Sequence, residues 1–351
     1  MRIVIVGGGV LGTMHAAEAV RRGHYVLQVD RGPGPRGAPV RDCGLVRVGG
    51  RADGAGLAAA LRARELWERI GRDVPGAGFR ATGSLTVART DAELAALGDL
   101  AERPDAAERG CKLLGPDEAR AVDPALRGAM LAALWCERDA AVEPRTVLPA
   151  VRERLAGSGR YTWLPGRDVR GLGDMRDVGT ASVRDDRGAT HEADAVVLCT
   201  GAPPTGWVRG LAPDPPVRRV RLRMLRTAPP DEPLATSVAD AAGRLLIVPG
   251  LDGGLAVGDP RACGEPGPPG ADDADADAYD RLLDAAEAVL GRPLPPVRHR
   301  WTDVRARCAD PSRIVHRERV AEDVWLVAGA GERGMTCSPA IAEDTAAELG
   351  L

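Results

Sequence analysis

Three glycines and one acid carry the clearest chemistry in this sequence. Gly7, Gly9 and Gly12 spell GxGxxG inside the run Gly7-Gly8-Gly9-Val10-Leu11-Gly12, and Asp30 closes the next apolar segment. Gly7 permits a tight turn, Gly9 lets backbone approach a pyrophosphate, and Gly12 allows a helix to pack closely on a strand. Val10 and Leu11 open that helix, whose unpaired N–H groups and partial positive charge suit phosphate oxygens. Asp30, with Arg31 beside it, stands where a carboxylate accepts hydrogen bonds from an adenosine ribose. The pattern fits FAD and NAD(P) equally. No Ser/His/Asp set and no metal-ligand cluster stands out, and His15 reads as a packed helix residue.

The elements needed to hold these groups follow from the flanking pattern. Ile3 to Val6 is a continuous apolar run, as a strand buried on both faces requires. A helix should run from the glycines to Arg22, with Gly23 as its C-cap, and a second strand from Tyr25 to Val29. Further along, residues 57–72 read as a helix with Leu57, Leu61, Trp67 and Ile70 near one face. Ala81 to Ala88 reads as a strand. Thr90-Asp91-Ala92-Glu93 is a capping box, and a short helix follows Gly115. Pro144 should open a helix reaching about Leu155. Ala195 to Leu198 is a buried strand leading to Cys199-Thr200-Gly201. Val217 to Arg226 alternates apolar residues with Arg, as a strand with one buried face would. Leu245 to Val248 and Leu255 to Val257 flank a turn and make a hairpin. Residues 264–278 read as an exposed loop, followed by a helix to Leu290.

A second GxGxxG, Gly329 to Gly334, follows the apolar strand Val324 to Ala328. With so little chain following it for another strand and acid, it is not expected to build an NAD(P) domain. Its helix N-terminus can instead serve the ligand of the first unit, where negative charge develops on reduction.

Composition narrows the class. The 351 residues suit two domains, and 44% hydrophobic with 28% charged residues is ordinary for a globular protein. A net charge of -3 provides no basic field for nucleic acid or a membrane surface. Seven cysteines, odd in number and without a CxxC, point to free thiols in a reducing cytoplasm. No apolar run is long enough to span a membrane, and with a strand starting at once no leader is expected before it.

Taken together, several segments resemble the D-amino-acid oxidase and glycine oxidase superfamily of FAD enzymes. They are IVIVGGGVLG at 3–12, VD at 29–30, TGSLTVARTDAEL at 82–94, ADAVVLCTGA at 193–202, LLIVPGLDGGLAVGD at 245–259 and WLVAGAGERGMTCSPAIAEDTA at 325–346. APVRDCGLV at 38–46, RVRLRMLRTAPP at 219–230 and GMT at 334–336 resemble a subfamily associated with aminophosphonate breakdown. The chain departs from that subfamily at Pro39, at an extra Glu332-Arg333, and in a shortened stretch between Arg226 and Leu245.

The resemblance implies an α/β fold with a Rossmann-like FAD-binding domain on a parallel sheet and a mainly antiparallel substrate domain. Both are discontinuous in sequence: 1–75, 140–205 and 297–351 for FAD, 76–139 and 206–296 for substrate. It implies noncovalent FAD held by Gly7, Gly9, Val10, Leu11, Gly12, Asp30 and Arg31, with the Val169 backbone at adenine and Gly201 near the cofactor. Ala38 to Gly44 would line the flavin, and Gly331, Gly334, Met335 and Thr336 its pyrimidine end. Cys43 and Cys308 are expected to be free thiols, although some relatives tether flavin through cysteine.

The implied reaction takes hydride from an amine-bearing carbon to flavin N5. Molecular oxygen then yields hydrogen peroxide, and the imine hydrolyses. Trp301-Thr302-Asp303-Val304-Arg305 resembles the glycine-oxidase segment whose Arg holds the substrate carboxylate, so Arg305 is the expected anion clamp. Arg41 and Arg47 are further candidates. Arg221 and Arg223 are expected to be solvated. An NAD(P)-linked dehydrogenase, and a flavoprotein using an acceptor other than oxygen, are the alternatives.

Overall fold

The computed structural model describes residues 1–33, 42–50, 54–173, 181–201, 207–212, 216–260 and 276–351. Ala38, Arg41 and most of the expected loop at 264–278 lie outside the described residues.

Two large sheets organise the chain. The first has six strands in the spatial order 316–321, 324–328, 195–198, 2–6, 25–30 and 161–165. Its inner pairs are parallel, in register Ile3↔Ala195, Ile3↔Val26 and Val196↔Val324, and only the edge strand His316–Ala321 runs antiparallel. Ile3, Val4, Ile5 and Val6 are all buried because helices cover one face and a three-stranded antiparallel sheet the other. The glycine-loop helix Val10–Arg21 and the terminal helix Gly334–Glu348 pack side by side on this sheet. The helix Ala55–Asp73 buries Leu57, Ala60, Ala63, Leu66 and Trp67, a stripe at helical spacing that meets the terminal helix.

The second sheet has eight strands, all but one pairing antiparallel, in the order 297–308, 217–227, 255–258, 246–249, 237–240, 84–88, 132–136 and 111–114. One face packs on the helix Ala276–Leu290 through Leu225, Ile247, Val257, Leu282 and Val289. The opposite face meets the small strand pair Leu45–Val46 and Ala140–Ala141 through Ala239, Leu246 and Val248. The fold is therefore the expected parallel-sheet domain joined to an antiparallel one.

Several expectations shift on contact with this arrangement. The strand Val297–Cys308 pairs along its whole length with Val217–Thr227, so the segment from 297 begins inside the antiparallel sheet. Val217–Thr227 is buried on both faces in its second half, with Leu225 packed in the cluster that holds the helix Ala276–Leu290, and Arg221 and Arg226 are buried with it. The helix expected from Pro144 starts at Val147. The capping box forms as expected: Glu93 N–H donates to Thr90 Oγ1 at 3.3 Å, and Thr90 N–H donates to Glu93 Oε2 at 3.2 Å. No described helix is long and apolar enough to cross a membrane.

Candidate active site

The first strand ends at Val6 and the chain turns at Gly7, whose φ of 122° is a conformation that side chains rarely adopt. Gly12 sits against the same turn. A Cβ there would lie 2.1 Å from the Gly7 carbonyl oxygen, so only glycine lets the helix approach this closely. Asp30 is at the end of the neighbouring strand, where its Oδ2 accepts the Gly8 N–H at 2.6 Å and its Oδ1 the Gly32 N–H at 2.7 Å. Arg31 follows, exposed. The loop before Val169 closes on the same corner: Arg167 N–H donates to Asp30 O at 2.9 Å and Gly166 N–H to Gly32 O at 3.0 Å. Val169 itself is buried beside Val6 and Val29. Gly201, just beyond Ala195–Leu198, is exposed, with a φ of 82° and open space where a side chain would stand.

The C-terminal loop comes to the same place from the other side. Gly331–Arg333 form one tight turn, and the terminal helix starts at Gly334. A Cβ on Gly334 would be 3.8 Å from Val10 Cγ1, so the starts of the two helices converge. Neither helix has a side-chain cap or an acidic residue in its first turn. Both therefore bring positive dipole ends to the same region. Thr336 is fully buried; its Oγ1 donates to Leu45 O at 3.2 Å and accepts the Arg47 N–H at 3.1 Å. Trp67 fixes the same turn by donating Nε1–H to the carbonyls of Met335 and Thr336, each at 3.0 Å. Trp67 read in the sequence only as one apolar residue on a helix face; its indole donor is the part that pattern does not show.

The antiparallel sheet delivers its polar residues along Val297–Cys308. That strand runs straight into the C-terminal loop, where Cys308 N–H donates to Gly329 O at 2.9 Å and Arg307 bridges to Ala330. Asp303 and Arg305 share the face opposite the helix Ala276–Leu290. Arg305 is buried, its Nε donates to Asp303 Oδ2 at 2.7 Å, and its Nη1 lies 2.7 Å from Asp42 Oδ2. Burial alone would favour the neutral guanidine, but Asp42 and Asp303 more than offset this and raise the Arg305 pKa above its ordinary value. Two of the three guanidinium nitrogens are thus engaged by carboxylates of the chain itself. Arg47 is half-buried and donates from Nε to Gly49 O at 3.0 Å. Arg221 is also buried, which corrects the expectation that it is solvated.

The six described cysteines are free thiols. Burial and the neighbouring Asp42 carboxylate push the Cys43 thiol up to about 12, so it is protonated at neutral pH and a poor nucleophile.

A glycine loop closed by an acid and two converging helix starts are the frame of a dinucleotide-binding protein. The model of the DAO family, FAD dependent oxidoreductase, matches residues 2–348, and the chain belongs to that family. FAD is its cofactor, and the glycine cradle and paired helix starts fit it. A stretch of 182 residues, 51% of this chain, is 32% identical to the tRNA 5-methylaminomethyl-2-thiouridine biosynthesis bifunctional protein MnmC of Maricaulis maris (strain MCS10); it spans 28% of that protein's length. Glycine oxidase from Geobacillus kaustophilus superposes with a TM-score of 0.80 at 21% identity, over 98% of this chain and 94% of that one. L-proline dehydrogenase from P. horikoshii superposes at 0.81 and 21%, over 99% and 92%. At these identities the two structures are alike in fold.

Proposed function

We propose that this FAD-dependent oxidoreductase oxidises the C–N bond of a small primary or secondary amine, an amino acid or an aminophosphonate. The carbon gives up a hydride and the nitrogen a proton; together these two electrons and two protons reduce oxygen to hydrogen peroxide, and water hydrolyses the resulting imine. FAD supplies the hydride acceptor; the chain binds and orients the amine.

The observation that supports this reading is the Asp42–Arg305–Asp303 cluster on the strand that leads into the C-terminal loop. One cation between two carboxylates leaves the group with a net negative charge. Such a group attracts an ammonium and offers oxygen acceptors to its N–H donors. A substrate carboxylate or phosphonate would meet a guanidinium with two of its three nitrogens already engaged by aspartates. In this proposal the cluster addresses the amine, and Arg305 acts as the residue that positions both carboxylates. Arg47, on the segment tied to Thr336, is then the described candidate for an anionic end of the substrate.

A second reading, transfer to an acceptor other than oxygen, is favoured by the sequence match to a biosynthetic protein and by the fold shared with a dehydrogenase. One experiment separates the two. The purified protein is mixed anaerobically with glycine, sarcosine, proline, D-amino acids, 2-aminoethylphosphonate and matching hydroxy acids, and the flavin absorbance is followed before and after air is admitted. An amine that bleaches the flavin, with air restoring the colour and releasing an equivalent of peroxide, is the expected result. Bleaching that air does not reverse assigns another acceptor. Bleaching by hydroxy acids alone defeats the C–N reading.

A further inference from the structure

Arg152, on the helix Val147–Ala156, stands directly behind the glycine loop. It is 6% exposed, and its Cζ lies 4.0 Å from the centre of a Trp163 ring. Its Nη2 donates to the carbonyl of Gly8 and, at 3.1 Å, to Thr13 Oγ1, while its Nε is buried with no partner. No carboxylate pairs with it among the described residues. A buried guanidinium without a counter-ion is costly, and burial holds its pKa below the ordinary value against the opposing pull of Tyr161 and Asp30. The groups it touches, the Gly8 carbonyl, the Thr13 hydroxyl and the Trp163 ring, are all neutral, so its charge is left unbalanced.

The surroundings specify where a ligand that balances it would sit. Gln28 donates from Nε2 to Gly7 O at 2.8 Å, and Tyr161 donates to Gln28 Oε1 at 2.7 Å. The carbonyls of Gly7 and Gly8 are thus both drawn back into a polar network. In a trans peptide the N–H points opposite to the preceding carbonyl, so fixing Gly8 O turns the Gly9 N–H away from Arg152. That is the donor at the open start of Val10–Arg21, the end of the helix suited to phosphate.

We propose that Arg152 is a positioning residue for the FAD diphosphate. It locks the Gly8 peptide so that the loop donors face outward, and it places a positive charge behind them that the diphosphate neutralises. The proposal makes the charge a property of cofactor retention and not of the apoprotein's packing.

The test uses the flavin-stripped protein and its Arg152→Met and Arg152→Lys variants. Affinity is measured for FAD by fluorescence quenching, for ADP by competition, and for riboflavin, which has no phosphate; melting temperatures are taken with and without FAD. For Arg152→Met the expected result is FAD and ADP binding weakened by about tenfold or more. Riboflavin binding should be unchanged, the salt dependence of ADP binding shallower, and the apoprotein melting temperature not lowered. Arg152→Lys keeps the charge but not the fork or the ring contact, and should fall between the two proteins. FAD affinity within twofold of the parent overturns the proposal. So does an equal loss for ADP and riboflavin, which would mark a general loosening of the loop. If Arg152→Met does not fold, the ratio of ADP to riboflavin loss in Arg152→Lys decides in the same way.

Discussion

Arg305 Nη1 lies 2.7 Å from Asp42 Oδ2, which ties the strand Val297–Cys308 to the segment leading into Leu45–Val46. With Asp303 on the other side of the guanidinium, the pair is one edge of a buried three-residue cluster. Removing the cation leaves two carboxylates buried together, whereas removing Asp42 leaves Arg305 and Asp303 matched. Breaking a buried ion pair from one side costs about 3–5 kcal/mol. Arg305→Met should therefore lose stability on that scale in urea unfolding, and Asp42→Asn distinctly less. Equal losses would show that Arg305 does not hold the cluster together.

Asp30 accepts two backbone N–H groups of the loops on either side of it. Asp30→Ala takes both acceptors away at once. Its affinity for FAD, measured by refilling the stripped protein, should drop by about tenfold or more, and Asp30→Asn should recover part of the loss because one carbonyl oxygen remains.

Gly12→Ala adds a Cβ 2.1 Å from the Gly7 carbonyl. The contact is with backbone at the end of a central strand, so helix and strand must separate, at about 1–3 kcal/mol. The variant should purify with little or no flavin absorbance. A variant that keeps a full complement of FAD would show that the loop tolerates a wider turn.

His15, on the glycine-loop helix, gives the fold an acid-sensitive group. Its ring is buried, Nδ1 is 2.7 Å from Leu11 O, and Nε2 has no partner. Burial lowers its pKa from 6.5 to about 4, partly offset by the Leu11 carbonyl. Between these values the unfolded chain binds a proton that the folded chain does not, so stability falls as pH drops from 6.5 toward 4 and this contribution levels off below. Over the whole window the loss is about 3 kcal/mol. His15→Met, similar in volume, should flatten the unfolding free energy across that range. Parallel pH profiles for the two proteins would assign the acid limb to other groups.

How far the sequence reveals this molecule depends on whether a residue acts through its pattern or through a distant partner. Ala195–Leu198 and Val324–Ala328 are uninterrupted apolar runs because strands buried on both faces need nothing else, and both appear at the expected residues. The glycine loop and Asp30 were equally legible, since their spacing is local. Val297–Cys308 carries no strand signal of its own, because it is held by pairing with Val217–Thr227 and its sequence is rich in Arg, His and Asp with few apolar residues. Arg305 could be singled out by type, yet the aspartate that engages it comes from residue 42. Arg152 is the same case: on a helical wheel it is one more charged residue, and only the fold brings Gly8, Thr13 and Trp163 around it.

The place of Val297–Cys308 and Val324–Ala328 in the chain bears on how the protein comes into being. The first forms an edge of the antiparallel sheet by pairing with residues from 217 onward, and the second enters the parallel sheet beside Ala195–Leu198. Neither sheet can be completed during synthesis until these late residues have emerged from the ribosome. Pairings of such long sequence separation are slow to form. The newborn chain therefore passes through a stage with two unfinished sheets, and FAD can stabilise it only once both have closed.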